Sequence, residues 1–288
     1  MTRNVCLTAA AGMIAALGAI SAQAVDTRKE ARLEIASGGT LNIVNNCGSV
    51  TLRSGAGKQV EIAYTIHSDK IEVDQNVTAD RRRIELVTHP SSAQRPTPDE
   101  ARVDYEITVP AGVAVSVNTA TAPISADGLS GDLSLSSDTG QVTVRNVVRV
   151  HLQVRGVTAP VSLSNVSLAH VDVTTSGGAV DLVDVAGPKV YVGTTSGNIS
   201  YRGDCSGSGE YSFTTHSGAI DVTLPETASF DLSARSVNGS VQNDFPLTER
   251  AHNSFVPKAG RSFAGTSNSG SSSVELQSFS GRIRVKKQ

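Results

Sequence analysis

The sequence has no tryptophan, and aromatic residues make up only 4% of its 288 positions. No indole face is available to stack a sugar ring. Cysteine is scarce at three, with no CxxC pair, and neither a serine nucleophile elbow nor a phosphate-binding glycine loop can be found. Charge of one sign is lacking as well. With 25 Lys and Arg against 27 Asp and Glu, the net charge is -2, which excludes a nucleic-acid binder driven by phosphate contacts. What is abundant is 36 Ser, 25 Thr and 35 Val, a composition of strands and turns that excludes a helical bundle.

The only long apolar run opens the chain. Residues 1–24 carry Arg3, an apolar stretch from Val5 to Ile20 and the small-residue pattern Ala22-Gln23-Ala24, which reads as a secretory signal cleaved after Ala24. The run is too short and too rich in Ala and Gly for a membrane span. Cys6 lacks the neighbours that a lipid-attachment box needs. The expected mature protein is therefore exported and is not an integral membrane protein.

Self-similarity organises the rest. The anchors Val115, Leu133, Leu152, Val171, Val190 and Tyr211 are spaced by 18, 19, 19, 19 and 21 residues. Each is followed two residues later by another apolar residue (Val117, Leu135, Val154, Val173, Val192, Phe213), the period of a strand. Nine residues after each anchor a second alternating pair opens, from Ile124 and Ala126 to Ile220 and Val222, and that offset holds in all six units. Just before the second pair a small residue marks a turn, as at Gly140, Gly178, Gly197 and Gly218. A third apolar point at Leu129, Val147, Val166 and Val185 suggests a third side to each coil.

A unit of about 19 residues with such short strands cannot bury its apolar face alone, so neighbouring units must stack around one core. The pattern predicts an all-β, single-chain β-solenoid. By the handedness preference of parallel crossovers it is a right-handed parallel β-helix, rising about 4.8 Å per coil. An earlier unit, Leu41 and Ile43 followed by Val50 and Leu52, places the start of the stack near residue 31. The alternating runs from Val60 to Ile66 and from Val103 to Val109 read as wider coils. Residues 89–102, with Pro90, Pro96 and Pro98, read as an exposed loop. After a Gly- and Ser-rich insertion, Val274 and Leu276 with Ile283 and Val285 read as the last coil and a cap. The expected organisation is a signal over 1–24 and one domain over 25–288, divided into wider coils (31–110), regular repeats (111–243) and a loop with C-terminal cap (244–288).

The segment VPAGVAVSVNTATAPISADGLSGDLSLSSDTGQVTV from Val109 to Val144, with VDVTTSGGAVDL, VYVGTTSGNISY and YSFTTHSGAIDV, resembles the bacterial family of putative adhesins, a domain of unknown function built of β-strand repeats. The recurring T-x-S-G-x-I-x-V turn and the V-P-x-G opening carry the resemblance, over residues 31 to 285. It implies an exported, non-catalytic β-solenoid at the cell envelope and brings no catalytic residues. Ala159-Pro160 and Asn238-Gly239 depart from the turn pattern.

Few constellations could carry chemistry. Cys47 and Cys205 lie about six coils apart on this reading, or roughly 29 Å, against a ceiling of about 7 Å for a disulfide, so no bridge is expected. The six histidines show no metal-ligand spacing, although His151 and His170 share a column. Asp181 and Asp221 share an outward column with Ser200 between them, about 9.6 Å apart along two coils, near the upper end of the carboxyl separation of inverting glycosidases, roughly 6.5–9.5 Å. Thr and Ser recur four and six positions after the anchors (Thr119 and Thr121, Thr194 and Ser196, Thr215 and Ser217), and parity points both sets inward. Arg202-Gly203-Asp204 and the glycosylation-like triplets receive no function.

The reading is an exported non-enzymatic protein of the periplasm or cell surface, a rigid surface for an envelope component, either glycan or protein. It assigns no catalytic, metal or cofactor-binding residues and no cofactor. The alternative is a carbohydrate-active β-helix enzyme, a lyase or glycosidase, using Asp181 and Asp221. Loops 89–102 and 265–273 are the weak candidates for contact.

Overall fold

The computed structural model describes residues 26–93, 95–205, 208–249 and 256–288, and the leader 1–24 lies outside them. The described residues form strands and connecting turns without a helix, in one sheet of 12 strands and one of 13. Each regular coil gives one strand to each sheet, and the coils pair parallel with residue-for-residue register. Val115, Leu133, Leu152, Val171, Val190 and Tyr211 align in one column. Ile124, Val142, Val161, Val180, Ile199 and Ile220 align in the facing one. Both columns are at most 2% exposed, so the core is a continuous seam of β-branched and Leu side chains between the sheets.

The apolar points at Val147, Val166 and Val185 lie just beyond a left-handed residue in the second strand of each coil. They stay within the strands Val142–Val148, Val161–Ser167 and Val180–Ala186, which bulge at a residue of positive φ: Asn146 (56°), Asn165 (54°) and Asp184 (53°). Asn and Asp tolerate this left-handed conformation best among residues with a side chain. Asn165 Nδ2 donates to Asn146 Oδ1 (3.1 Å), and Asn146 Nδ2 to Asp127 Oδ1 (2.7 Å).

The turn between the sheets explains the Thr-x-x-Gly motif. The Gly197 and Gly218 amides donate to the hydroxyls three residues earlier, Thr194 (2.9 Å) and Thr215 (3.0 Å), and Gly281 does the same with Ser278 (2.8 Å). At these positions only glycine fits, because the coils touch backbone to backbone, whereas Ala122 and Ala159 fill the same turn position in coils 114–127 and 151–167. A Cβ on Gly218 would lie 1.9 Å from the Gly197 carbonyl oxygen. Hydroxyls four positions after the anchor are buried, as expected. Those at six positions, Thr121, Thr139, Ser196 and Ser217, face solvent. The turn rotates the chain out of strand parity, and these hydroxyls donate back to carbonyls of the preceding coil, as Ser196 does to Ser176 O (3.3 Å).

The spatial order of coils departs from the chain order at both ends. From one end the coils run 83–110, 40–55, 114–127, 133–148, 151–167, 170–186, 189–202, 210–224, 272–287 and 230–243. The C-terminal coil is thus not the last. Ser272–Ser278 pairs with both Glu210–Thr215 and Phe230–Ser236, and Ile283–Lys287 with both Ile220–Leu224 and Val241–Asn243. Coil 40–55 is likewise threaded between 83–110 and 114–127.

Residues 27–34, 59–66 and 71–77 also correct the expectation of wider coils. Gln59–Ile66 runs antiparallel to Arg102–Pro110, Thr27–Glu34 antiparallel to Gln59–Ile66, and Ile71–Val77 antiparallel to Arg83–Pro90. Alternation alone cannot distinguish the two directions of pairing. These strands extend each sheet past the last parallel coil, and the exposed edge strand TRKEARLE carries Arg, Lys and Glu that discourage pairing with another chain. The Gly265–Ser273 stretch is no loop either. It spans the end of Ser262–Ser267, a turn, and the start of Ser272–Ser278. Residues 91–101 are a connection outside regular strands, as expected, tied down by a 2.7 Å Lys70–Glu100 ion pair.

The first strand is pinned by a polar cluster. His67 lies 2.8 Å from an oxygen of both Asp26 and Asp104. Asp104 also accepts from Ser49 Oγ (2.7 Å) and Arg102 Nη2 (2.8 Å). Burial acts to raise the Asp104 carboxyl, but the hydrogen bonds from Ser49, Arg102 and His67 outweigh it and hold the group below its ordinary value.

Three outcomes follow. Deleting residues 272–288 removes an internal coil, so amide exchange should show protection lost over 230–243 while 114–202 stays protected; protection retained over 230–243 would contradict the threaded order. Gly218→Val forces two coils apart and should cost about 1–3 kcal/mol in denaturant unfolding. A carboxyl lowered on folding stabilises the native state above its unfolded pKa, and that stability fades as pH falls through the folded value. Asp104→Asn should therefore depress the melting temperature at neutral pH, with the deficit narrowing as the pH is lowered past the usual carboxylate value of about 4; a deficit independent of pH would rule out the charge as its cause.

Candidate binding surface

The outward columns are where chemistry could be displayed. Asp181, Ser200 and Asp221 do align across successive coils as expected. The next coil places Arg284 beside Asp221, and Arg282 Nη2 lies 3.4 Å from Asp221 Oδ2. Arg202 and Asp204 are exposed, but Gly203 between them is buried at the end of a strand. His151 and His170 stack with ring centroids 6.1 Å apart. Among the described residues, no group of three His, Cys, Asp or Glu is placed to hold a metal ion, and no helix is long and apolar enough to cross a membrane.

The Ser49, His67 and Asp104 cluster contains the residue types of a hydrolase triad without its geometry. Ser49 donates to the carboxylate rather than to the imidazole, so no base is placed to activate its hydroxyl. Cys47 and Cys205 are both free and lie five coil steps apart, one fewer than expected. Cys205 is buried beside Tyr201 and Tyr211, and burial pushes its thiol up to about 12, which makes it inert as a nucleophile.

Concavities lie at both ends of the stack. Two open depressions of about 640 and 710 Å³ occupy the outer face near the first strand. Several of their lining charges are paired within the protein, with Arg32–Glu61 and Arg28–Glu106 both at 3.2 Å. At the other end a groove of about 410 Å³ runs along the solenoid axis over coils 189–202, 210–224, 272–287 and 230–243. Its floor is the buried hydroxyl column Thr194, Thr215 and Ser278. One wall is the outer face of the sheet, Thr214, Gln277 and Arg235; the other is the turn column, Thr195, His216, Phe279 and Val237. The His216 and Phe279 rings stack at 4.7 Å and 5°, and Phe279 is 46% exposed.

This aromatic pair exists only because the C-terminal coil is threaded inward. Ser278 is in register with Thr215 on one side and Ser236 on the other, which brings Phe279 between His216 and Val237. Sequence reasoning grouped none of the three. Aligning the turns THSG, SFSG and SVNG would have shown a large residue at the same position in each. Neither of the expected contact ranges, 89–102 and 265–273, lines the groove.

No curated protein matches the sequence. Among solved structures, the chain is similar to a putative adhesin from Bacteroides fragilis, at 10% identity and a TM-score of 0.51 over 91% of this chain and 97% of that one. A putative cell adhesion protein from Clostridium sporogenes matches at 14% identity and a TM-score of 0.32, over 92% of this chain and all of the other. A putative lipid binding protein from Parabacteroides distasonis matches at 12% and 0.43, over 91% and 96%. At such identity the likeness concerns the fold alone. A family model, Toastrack DUF4097, matches residues 18–286, and with the parallel coil register and the repeated turn already described, this chain belongs to the Toastrack DUF4097 family.

Proposed function

We propose that the protein is an exported, non-catalytic component of the cell envelope, whose mature domain, residues 25–288, presents the long faces of its solenoid as a rigid binding surface. The observation that carries this reading is the state of the outward columns. Neighbouring coils satisfy one another's backbone hydrogen bonds, leaving a preformed array of polar side chains with little ordering cost on binding. The carboxylates that an enzyme on this scaffold would use, Asp181 and Asp221, lie two coils apart with Asp221 engaged by Arg282. The adhesin name of the Bacteroides fragilis structure agrees with a binding role. The leader supports export, to the periplasm or the cell surface.

Mixed with isolated cell envelopes, mature protein should pellet saturably and release no sugar, and Asp181→Asn with Asp221→Asn should pellet equally. Sugar release that disappears in the double variant would instead establish the enzyme.

A further inference from the structure

We infer that the groove between Phe279 and Gln277 is a binding site for an acidic oligosaccharide, which deepens the binding-surface reading and rests on it. The first argument is the lining. A sugar ring is polar around its rim and apolar on its C–H face, and the groove matches both. The turn wall offers the exposed part of Phe279, whose ring is stacked on one face by His216. The opposite wall offers the Thr214 hydroxyl and the Gln277 amide. Tyr191 adds a further aromatic rim. Its phenol lies over Gly193, where an added Cβ would meet the hydroxyl at 2.8 Å, and Gly193 is the register partner of Thr214.

The second argument is charge. Beyond Val237 the groove continues into a second depression of about 370 Å³, lined by Lys258 and Arg261 and sharing Arg235 with the first. Among the described residues neither depression is lined by a carboxylate, and the cations that the second depression adds are Lys258 and Arg261. Arg261 is oriented by donating to Val237 O (2.9 Å). Glu275, two residues before Gln277 in its strand, accepts from Gln277 Nε2 at 2.6 Å. A chain of uronic-acid units, apolar on the ring face and anionic at its carboxyls, complements an aromatic patch followed by cations.

The third argument eliminates other occupants. A peptide adding as a β-strand needs an unpaired sheet edge, but the strands under the groove, from Lys189–Thr194 to Phe230–Ser236, are paired on both sides. An acyl chain needs an apolar floor, and this floor is hydroxyl.

The test is calorimetric titration of the mature protein with trigalacturonate and trimannuronate, with cellotriose as the neutral control. At least one acidic trisaccharide should bind, cellotriose should bind about tenfold more weakly or worse, and both Phe279→Ala and Thr214→Trp should weaken the acidic ligand by a similar factor with unchanged melting temperature. The two variants act oppositely, one removing the platform and the other filling the groove, so a folding defect in one does not spoil the test. Failure of both acidic trisaccharides to bind, equal binding of cellotriose, or unaltered binding by both variants overturns the assignment. Repeating the envelope pelleting with the variants separates this inference from the reading beneath it: undiminished pelleting by variants that bind no saccharide leaves the envelope surface standing and places it elsewhere, whereas saccharide binding without pelleting keeps the groove and discards the envelope.

Discussion

The structure depends on the backbone contact between successive coils at the sheet-to-sheet turn. There the amide of one glycine is held by its own coil's Thr or Ser hydroxyl, while the carbonyl of the glycine one coil away sits where a Cβ would be, 2.0 Å away for Gly197 over Gly178 and 1.9 Å for Gly218 over Gly197. That contact sets the approach of the coils, and the approach sets the register of both sheets. A shift of one residue in either sheet would exchange every core side chain for a solvent-facing one. The apolar columns, the buried hydroxyl column and the outer columns are therefore one constraint seen at different depths.

Solenoids have two weak points, their ends, where a parallel coil lacks a neighbour. Here the chain does not simply stop at either end. At one end it forms 40–55, adds 83–110 outside it and steps over to 114–127; at the other it skips a position to form 230–243 and returns to fill the gap, so that 40–55 and 272–287 are each held on both sides. Strands at the outer limits are short, as with Val241–Asn243 and Thr248–Glu249, or charged, as with Thr27–Glu34. The arrangement exchanges local contacts for non-local ones, which slows folding in general. It also makes completion of the core depend on the last residues of the chain.

How much of this was legible follows from what each signal encodes. Spacing encodes register, so the columns from Val115 to Tyr211 and from Ile124 to Ile220 were readable to the residue. Alternation encodes a two-faced strand but not its direction, which is why Val60–Ile66 passed for a coil although it pairs antiparallel with 103–108. A repeat unit also looks the same wherever it is placed in the stack. Val274, Leu276, Ile283 and Val285 identified a coil, and nothing in them could say that it would sit inside 230–243. The bulge at Asn146 and Asn165 left its trace only in phase, with Val147 and Val166 falling three rather than two residues after Val144 and Leu163. Misreading the order hid the groove, since Phe279 meets His216 only in the threaded arrangement.

That dependence bears on how such a protein acquires binding specificity. Inner columns cannot vary much, because the turn contact fixes both spacing and side-chain size. The turn column is free: its occupants in spatial order are Ala120, Asp138, Val157, Ser176, Thr195, His216, Phe279 and Val237, with no shared chemistry. Threading brings residues from separate parts of the chain into contiguous positions of this free column, so a patch can change by substitution in one coil without disturbing its neighbours' cores. The aromatic and basic character of the groove is concentrated at the threaded end, where three coils distant in sequence contribute one residue each to the turn wall. A surface built this way is rigid because its backbone is saturated with hydrogen bonds. It is selective because adjacent side chains sit at the fixed spacing of hydrogen-bonded strands, about 4.8 Å, and that combination suits a long, regular ligand better than a compact one.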